Sequence, residues 1–361
     1  MSSSDKKEEE DKSINFEISR NMDIWLNNQL CSIVCTSYKT NLVFTFGRFG
    51  NKINVWYSQF NRPMELYVDD NIYLGTQVGI VSFINNVDES ITKDNVNQVV
   101  YDGNYIPNKI NFTGDIDIHD IYKLNSGLYF VSSQLNSICV INNSTKYNFD
   151  IFWTPSFISK KNNRVPKEDR CHLNSCCPVN GKIKYACMVS DSDISGGWRD
   201  NRVGGGLIID IDTDEVVCSN LCMPHSLQYY NGKLYVLDSG TGRFGYINFD
   251  EEDTSKRFKE ICFIPGFLRG LKFINNYAVI GMSMDRHENI FSGLPLCDKM
   301  KEKKINPKCG IKVVNINTGD IEHSIELINV IEIYGIGIIQ NNVTSRLMDL
   351  NNDMLVNAIK Y

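Results

Sequence analysis

His119-Asp120-Ile121-Tyr122 leads to Gly127-Leu128-Tyr129-Phe130-Val131-Ser132; His172-Leu173-Asn174-Ser175 leads to Gly181-Lys182-Ile183-Lys184-Tyr185; His225-Ser226-Leu227-Gln228 leads to Gly232-Lys233-Leu234-Tyr235-Val236-Leu237-Asp238. Each histidine opens the same phrase: an apolar stretch, a turn with glycine, then an apolar strand. The three histidines lie 53 residues apart, twice over. A period near 50 residues made of short strands predicts β-propeller blades. An identical residue at one phase of that period is expected at the same radial place in each blade. Three imidazoles are therefore expected to point at one common space.

Working outward, strand signals dominate. Leu42–Phe46, Ile72–Gly75, Leu128–Ser132, Ile138–Ile141, Leu207–Ile211, Leu234–Leu237, Tyr277–Ile280 and Ile311–Ile316 are short and rich in β-branched and aromatic residues. Asp212-Thr213-Asp214 and Asn317-Thr318-Gly319-Asp320 read as hairpin turns. The His phrase recurs at Pro63–Gly75, with Met64 near the His phase, and at Gly266–Gly281, with Arg269 there. The last unit is split. Residues 331–339 resemble an innermost strand without successors, and residues 31–60 resemble successors without an innermost strand. Pairing them closes the ring and hides two sheet edges. The expectation is an all-β, six-bladed propeller, with seven blades as the alternative.

The 361 residues divide into a lead-in (1–28), one propeller domain (29–345) and a C-terminal tail (346–361). Met1–Ser13 is all Ser, Asp, Lys and Glu after the initiator, which reads as a solvated tail without the apolar core of a secretory signal. A net charge of −6 argues against a nucleic-acid partner, which needs a basic face. No apolar run is long enough to span a bilayer, so no membrane partner is expected and the expected location is cytoplasmic. The twelve cysteines lack zinc-knuckle spacing and read as reduced, small apolar fillers. The basic stretch Lys299–Lys304 reads as a solvated helix face.

Several phrases together resemble the DUF4915 family of uncharacterised proteins. They are Gly114–Asp120, Glu168–Asn174, Ser195-Gly196-Gly197-Trp198-Arg199, Met223-Pro224-His225-Ser226, Asp238–Gly242, Pro265–Gly270, Gly293-Leu294-Pro295-Leu296 and Cys309-Gly310. The resemblance covers roughly residues 30 to 340 and implies a propeller-like fold, with no activity attached. One departure stands out. The closing strand reads Glu332-Ile333-Tyr334-Gly335, where the family tends to carry an aromatic-Asp pair after Glu.

The site expected from the phase is the channel mouth: His119, His172, His225 and Arg269, with Asp117, Asp120, Asp169, Arg170, Asn174 and Glu65 nearby. Three chemistries suit it. His119, His172 and His225 can bind a divalent metal (Zn, Fe or Mn) that leaves one position open, with Asp117 or Asp120 orienting His119 from behind. Alternatively, the histidines move protons without a metal while Arg269 and Arg170 clamp a carboxylate or oxyanion. The third reading is a scaffold for protein partners, with structural histidines. A small-molecule ligand is the working expectation, because concave places with convergent polar groups favour one. The change from His to Arg at position 269 tilts the balance against pure spacing roles. The Gly-Gly-Trp-Arg loop can act as a lid in which Trp198 stacks on a ligand beside Arg199, or equally as a surface loop whose Trp198 plugs the channel side of blade four. Ser239 lacks a nucleophile-elbow sequence, so a serine triad is not expected. His287 and His323 sit off phase and read as surface residues.

Overall fold

The computed structural model describes residues 14–88, 92–94, 98–284 and 292–357. The tail Met1–Ser13 and His287 lie outside them. Six antiparallel sheets form the six blades. Blade 1 takes Ile336–Gln340 as its innermost strand, followed by Cys31–Ser37, Leu42–Phe49 and Lys52–Gln59. Blade 2 runs Leu66–Val68, Asn71–Thr76, Gly79–Asn85 and Gly103–Phe112. Blade 3 spans Ile118 to Trp153, blade 4 Leu173 to Leu221, blade 5 Pro224 to Phe263 and blade 6 Phe267 to Ile328.

The ring closes as the split unit predicts. Ile336–Gln340 pairs antiparallel with Cys31–Ser37, with Cys35 opposite Ile336 and Cys31 opposite Gln340. Cys31–Ser37 is buried at every position. A strand with strands on both edges and a blade on each face has no solvent side, so burial does not alternate along it and even Ser32, Thr36 and Ser37 are buried. The core is accordingly divided among the interfaces between blades. Ile33, Phe44 and Phe46 of blade 1 pack on Val279, Ile311, Val313 and Ile325 of blade 6. Tyr122, Val131 and Ile138 of blade 3 pack on Cys176, Ile183, Ala186 and Met188 of blade 4. The cysteines are free and mostly buried within these faces. Burial pushes their thiols up, that of Cys31 to about 12, so they act as small apolar fillers.

Both ends of the chain do more than the sequence suggests. The lead-in contains a strand, Asn15–Ile18, which pairs with Ile321–Ile328 as a fifth strand of blade 6. It also contains a helix, Met22–Asn28, which buries Met22, Trp25 and Leu26. The C-terminal tail begins inside the fold. Ser345–Leu347 pairs parallel with Gly103–Tyr105 as a fifth strand of blade 2, and Arg346 is fully buried there. The basic stretch forms the end of a short helix, Pro295–Lys303. No helix among the described residues is long and apolar enough to cross a membrane.

Candidate functional site

The blade phase is set by the first hairpin of each blade. The innermost strands of blades 3 to 6 end at Leu124, Val179, Tyr230 and Ile274. Five residues before those ends stand His119, Asn174, His225 and Arg269. These four line a narrow axial chamber together with Tyr334 of blade 1 and Glu65 of blade 2. His119, His225, Arg269 and Tyr334 also line the funnel above it, where Met64 supplies blade 2. One collar of side chains thus separates funnel from chamber.

The even spacing of the histidines conceals two unequal steps. From His119 to Asn174 is 55 residues and from Asn174 to His225 is 51, so Asn174, not His172, holds the collar position of blade 4. His172 stands two residues earlier, on the turn that enters the blade. The equivalent residues in the neighbouring blades are Asp117 and Met223. All three have left-handed backbones, with φ of 59° at Asp117, 51° at His172 and 49° at Met223. That conformation is costly for a residue with a Cβ. Its repetition assigns it to blade entry rather than to chemistry at one residue.

The entry turn fixes the collar histidines. His119 Nδ1 donates to the Asp117 carbonyl at 3.0 Å and His225 Nδ1 to the Met223 carbonyl at 2.8 Å. Each ring therefore turns its Nε2 lone pair toward the axis. His225 spends that lone pair on Arg269, whose Nη2 lies 3.0 Å away. The Arg269 guanidinium rests on the face of Tyr334, 4.0 Å from the ring centre. Burial is the main force that holds His119 down at about 4, with His172 and Arg269 adding to it against the opposing pull of Asp117. Burial and then Arg269 hold His225 well below the ordinary histidine range. Both rings are neutral at pH 7.

His172 is differently supported. Its Nδ1 lies 2.6 Å from Asp169 Oδ2, which also accepts the Trp198 indole N–H at 2.8 Å. Trp198 stacks on the His172 ring with centroids 4.2 Å apart. The His172 ring meets His119 edge-on at 4.9 Å. A carboxylate behind an imidazole fixes its tautomer and stabilises the imidazolium formed when Nε2 takes a proton. Asp117 closes the opposite wall. It accepts from Arg62 at 2.7 Å and from Ser133 at 3.0 Å. Burial opposes its ionisation, but His119, Arg62, His172 and Ser133 together bring it below the usual carboxylate range.

The funnel has a volume of about 230 Å³ and opens to solvent. The chamber beneath has room for about one water. Its polar groups are Glu65, Asp120, Lys272, Ser175, Ser226 and Gln228. Three of them tie blades together: Asp120 accepts the Cys176 N–H at 3.1 Å, Ser175 that of Leu227 at 3.0 Å and Ser226 that of Gly270 at 3.0 Å. Burial raises Glu65 to about 7, against the lowering fields of Lys272 and Arg269. Burial and then Glu65 raise Asp120 well above the carboxylate range.

Several expected roles are corrected. The three-histidine metal site is not assembled, because a permanent cation already takes the His225 lone pair. Among the described residues no three His, Cys, Asp or Glu side chains are grouped to hold a metal ion. Arg170 does not reach the funnel; it pairs with Asp193 at 2.7 Å and Glu168 at 3.0 Å. Asp120 lies below the collar, and Asn174, at the collar position of blade 4, faces the chamber and not the funnel, its Nδ2 donating to the Pro224 carbonyl at 2.8 Å. Trp198 is only 2% exposed and has His172 and Arg199 over its rings, so it is wall rather than lid. Arg199 does reach the funnel rim. Ser239 is fully buried and donates to the Leu268 carbonyl at 2.7 Å, which leaves it no nucleophilic role. His323 is half-buried beside Trp25. Arg62, Gln134, Tyr38 and Tyr334 also line the funnel, and Lys272 the chamber. Arg62 was legible, since it precedes Met64 by the two residues that separate Asp117 from His119.

A family model described as a domain of unknown function, DUF4915, matches residues 20–348. The chain belongs to the DUF4915 family. No curated protein matches it. Among solved structures, a chain of the nidogen/laminin complex is 11% identical with a TM-score of 0.54, covering 86% of this chain and 99% of that one. A Bacteroides fragilis protein named for a proposed 6-phosphogluconolactonase activity is 11% identical with a TM-score of 0.44, over 86% of this chain and 98% of that one. These likenesses concern the fold alone. In this DUF4915 chain the closing segment places Tyr334 on the collar and Gly335 against the Glu65 carboxylate. A Cβ on Gly335 would stand 2.8 Å from Glu65 Oε1.

Proposed function

We propose that the funnel binds a small anionic molecule and that His172, backed by Asp169, serves it as a general base without a metal. The observation that carries this reading is Arg269. Its guanidinium is half-buried at the funnel floor, and its polar partner is a neutral imidazole rather than a carboxylate. A half-buried guanidinium hydrogen-bonded to no carboxylate is costly, and Glu65 in the chamber below, raised to about 7 by burial, supplies only part of a counter-charge. A ligand carboxylate or oxyanion would supply the missing charge through two parallel hydrogen bonds. Arg199 at the rim adds a second positive charge on the approach. His172 faces the same space with Nε2 as acceptor, the arrangement that takes a proton from a bound hydroxyl or water.

The test is a titration of small carboxylates followed through the His ring Cε1–H signals, for wild type and Arg269→Met. Saturable shifts in wild type that weaken at least about tenfold in the variant, a difference of ~1.4 kcal/mol, support the reading. Equal binding by a folded Arg269→Met protein, or no binding by either, removes it.

A further inference from the structure

We propose that the ligand is a hydroxycarboxylate: an acid with a hydroxyl on the carbon next to the carboxylate, as in lactate or a sugar acid. The proposal rests on the anionic-ligand reading above and adds what the rest of the funnel demands of the molecule.

The argument is one of matching donors to acceptors. Arg269 presents N–H donors and a full positive charge, which select a carboxylate. The two groups beside it present the opposite need. His119 gives its Nδ1 proton to the Asp117 carbonyl, and His172 gives its Nδ1 proton to Asp169. His119, held neutral by burial, therefore turns a lone pair on Nε2 toward the funnel, and the neutral form of His172 does the same. The two rings stand 4.9 Å apart, edge to face, so both can reach neighbouring groups of one small molecule. A bare acceptor calls for an O–H or N–H donor on the ligand, and a ligand lacking one leaves it unsatisfied. Burial keeps His119 neutral down to about pH 4, so it remains an acceptor and adds no positive charge.

An ammonium would also donate, which makes an α-amino acid the rival class. The funnel is built against it. The carboxylates that would receive an ammonium are occupied: Asp117 by Arg62 and Ser133, and Asp169 Oδ2 by His172 and Trp198. The other Asp169 oxygen accepts no hydrogen bond but is buried from solvent, so an ammonium in the funnel does not meet it. Arg62, Arg199 and Arg269 outnumber Asp117 and Asp169 around the opening. A hydroxyl satisfies the imidazoles at no charge cost. A funnel of about 230 Å³ that opens to solvent leaves a polyhydroxylated chain free to extend beyond the first two carbons.

The experiment compares lactate, propionate, alanine and pyruvate on the full chain at pH 7.5, by the same His ring signals, with gluconate as a longer probe. The first three differ only in carrying OH, H or NH₃⁺ on one carbon. The expected result is lactate binding at least tenfold tighter than propionate, alanine and pyruvate, with gluconate at least as tight as lactate. In His119→Leu, lactate should lose its advantage over propionate. If propionate equals lactate in wild type, the hydroxyl has no partner and this class is wrong, while the anionic site stands. If alanine binds tightest, the amino acid class replaces it. If none of the five binds, this inference and the reading it rests on both fall. The wild-type comparison decides the matter even should His119→Leu fail to fold.

Discussion

Glu65 and His119 stand a collar apart and respond to pH with opposite signs. The Glu65 carboxyl rises from 4.5 unfolded to about 7 folded, so the folded chain holds that proton more tightly. Its contribution is complete below pH 4.5 and is lost as pH climbs through 7. Two and a half pH units correspond to at most ~3 kcal/mol. Glu65→Gln removes the cost of a buried anion. In urea unfolding the variant should gain stability over wild type between pH 5 and pH 8. Equal loss at both pH values would mean an ionised Glu65 held by Lys272. His119 falls from 6.5 to about 4. Its neutral form stabilises the fold above pH 6.5, and that support is lost as pH falls from 6.5 through 4. The His119 ring signal should therefore stay flat from pH 8 to pH 5, and a midpoint near 6.5 would contradict its burial. At this scale the sequence was partly legible. The repeated phrase marks the collar for His119, His225 and Arg269. It misassigns His172, because a longer blade 3 and a shorter blade 4 restore the 53-residue interval by compensation. Asp169, three residues before His172, is a local partner that the sequence already places near the site, whereas Trp198 reaches His172 only through the loop folded above blade 4, and spacing carries no signal for that.

At the scale of elements, the strands most legible in the sequence are those buried on both faces, such as Leu128–Val131 and Leu234–Leu237, because continuous apolar runs mark them. The element that escaped is the N-terminal strand. Asn15–Ile18 has four residues, alternates between half-buried and exposed, and follows a charged tail. What holds it is tertiary. It covers the free edge of Ile321–Ile328, and Phe16 reaches across to blade 1, meeting Phe44 at 6.0 Å and Phe46 at 5.4 Å, edge to face. Removing residues 1–20 uncovers that edge and strips one aromatic ring from the core. The expected loss is about 2–4 kcal/mol in urea unfolding, with faster amide exchange along Ile321–Ile328. Phe16→Ala alone should reproduce most of the loss in stability but little of the change in exchange, since the backbone pairing remains. A truncated chain with unchanged stability would mean the strand lies on the fold without supporting it.

Across the whole molecule, closure is spread over three consecutive blades rather than one. The N-terminal segment adds to blade 6 and supplies most of blade 1; the C-terminal segment supplies the innermost strand of blade 1 and then adds to blade 2. The funnel needs this, because the collar takes Tyr334 from one end of the ring and Arg269 from the neighbouring blade. Any widening between blades 6 and 1 would separate the guanidinium from the ring beneath it. The last clasp is Ser345–Leu347, and its centre is Arg346. That guanidinium is fully buried, 4.2 Å from the Tyr101 ring centre and 5.1 Å from that of Trp56, with Nε donating to Asn104 Oδ1 at 2.8 Å. Met348 next to it is fully buried against Ile106. Ending the chain at residue 343 removes the strand and the cation together and leaves Asn104 Oδ1 without this donor. Losses of this kind cost about 3–5 kcal/mol. Ending it at residue 349 keeps both and, among the described residues, takes from the packing against Ile106 and Met348 the half-buried Met354 and Leu355, a loss of roughly 1 kcal/mol. Thermal unfolding of the two truncations should therefore differ by several degrees or more, the shorter chain melting first. Ligand-induced shifts of the His119 and His172 signals should weaken in the shorter chain even where it stays folded, because the collar spans the joint that this clasp secures. Equal melting of the two truncations would place the whole burden of closure on the pairing of Ile336–Gln340 with Cys31–Ser37.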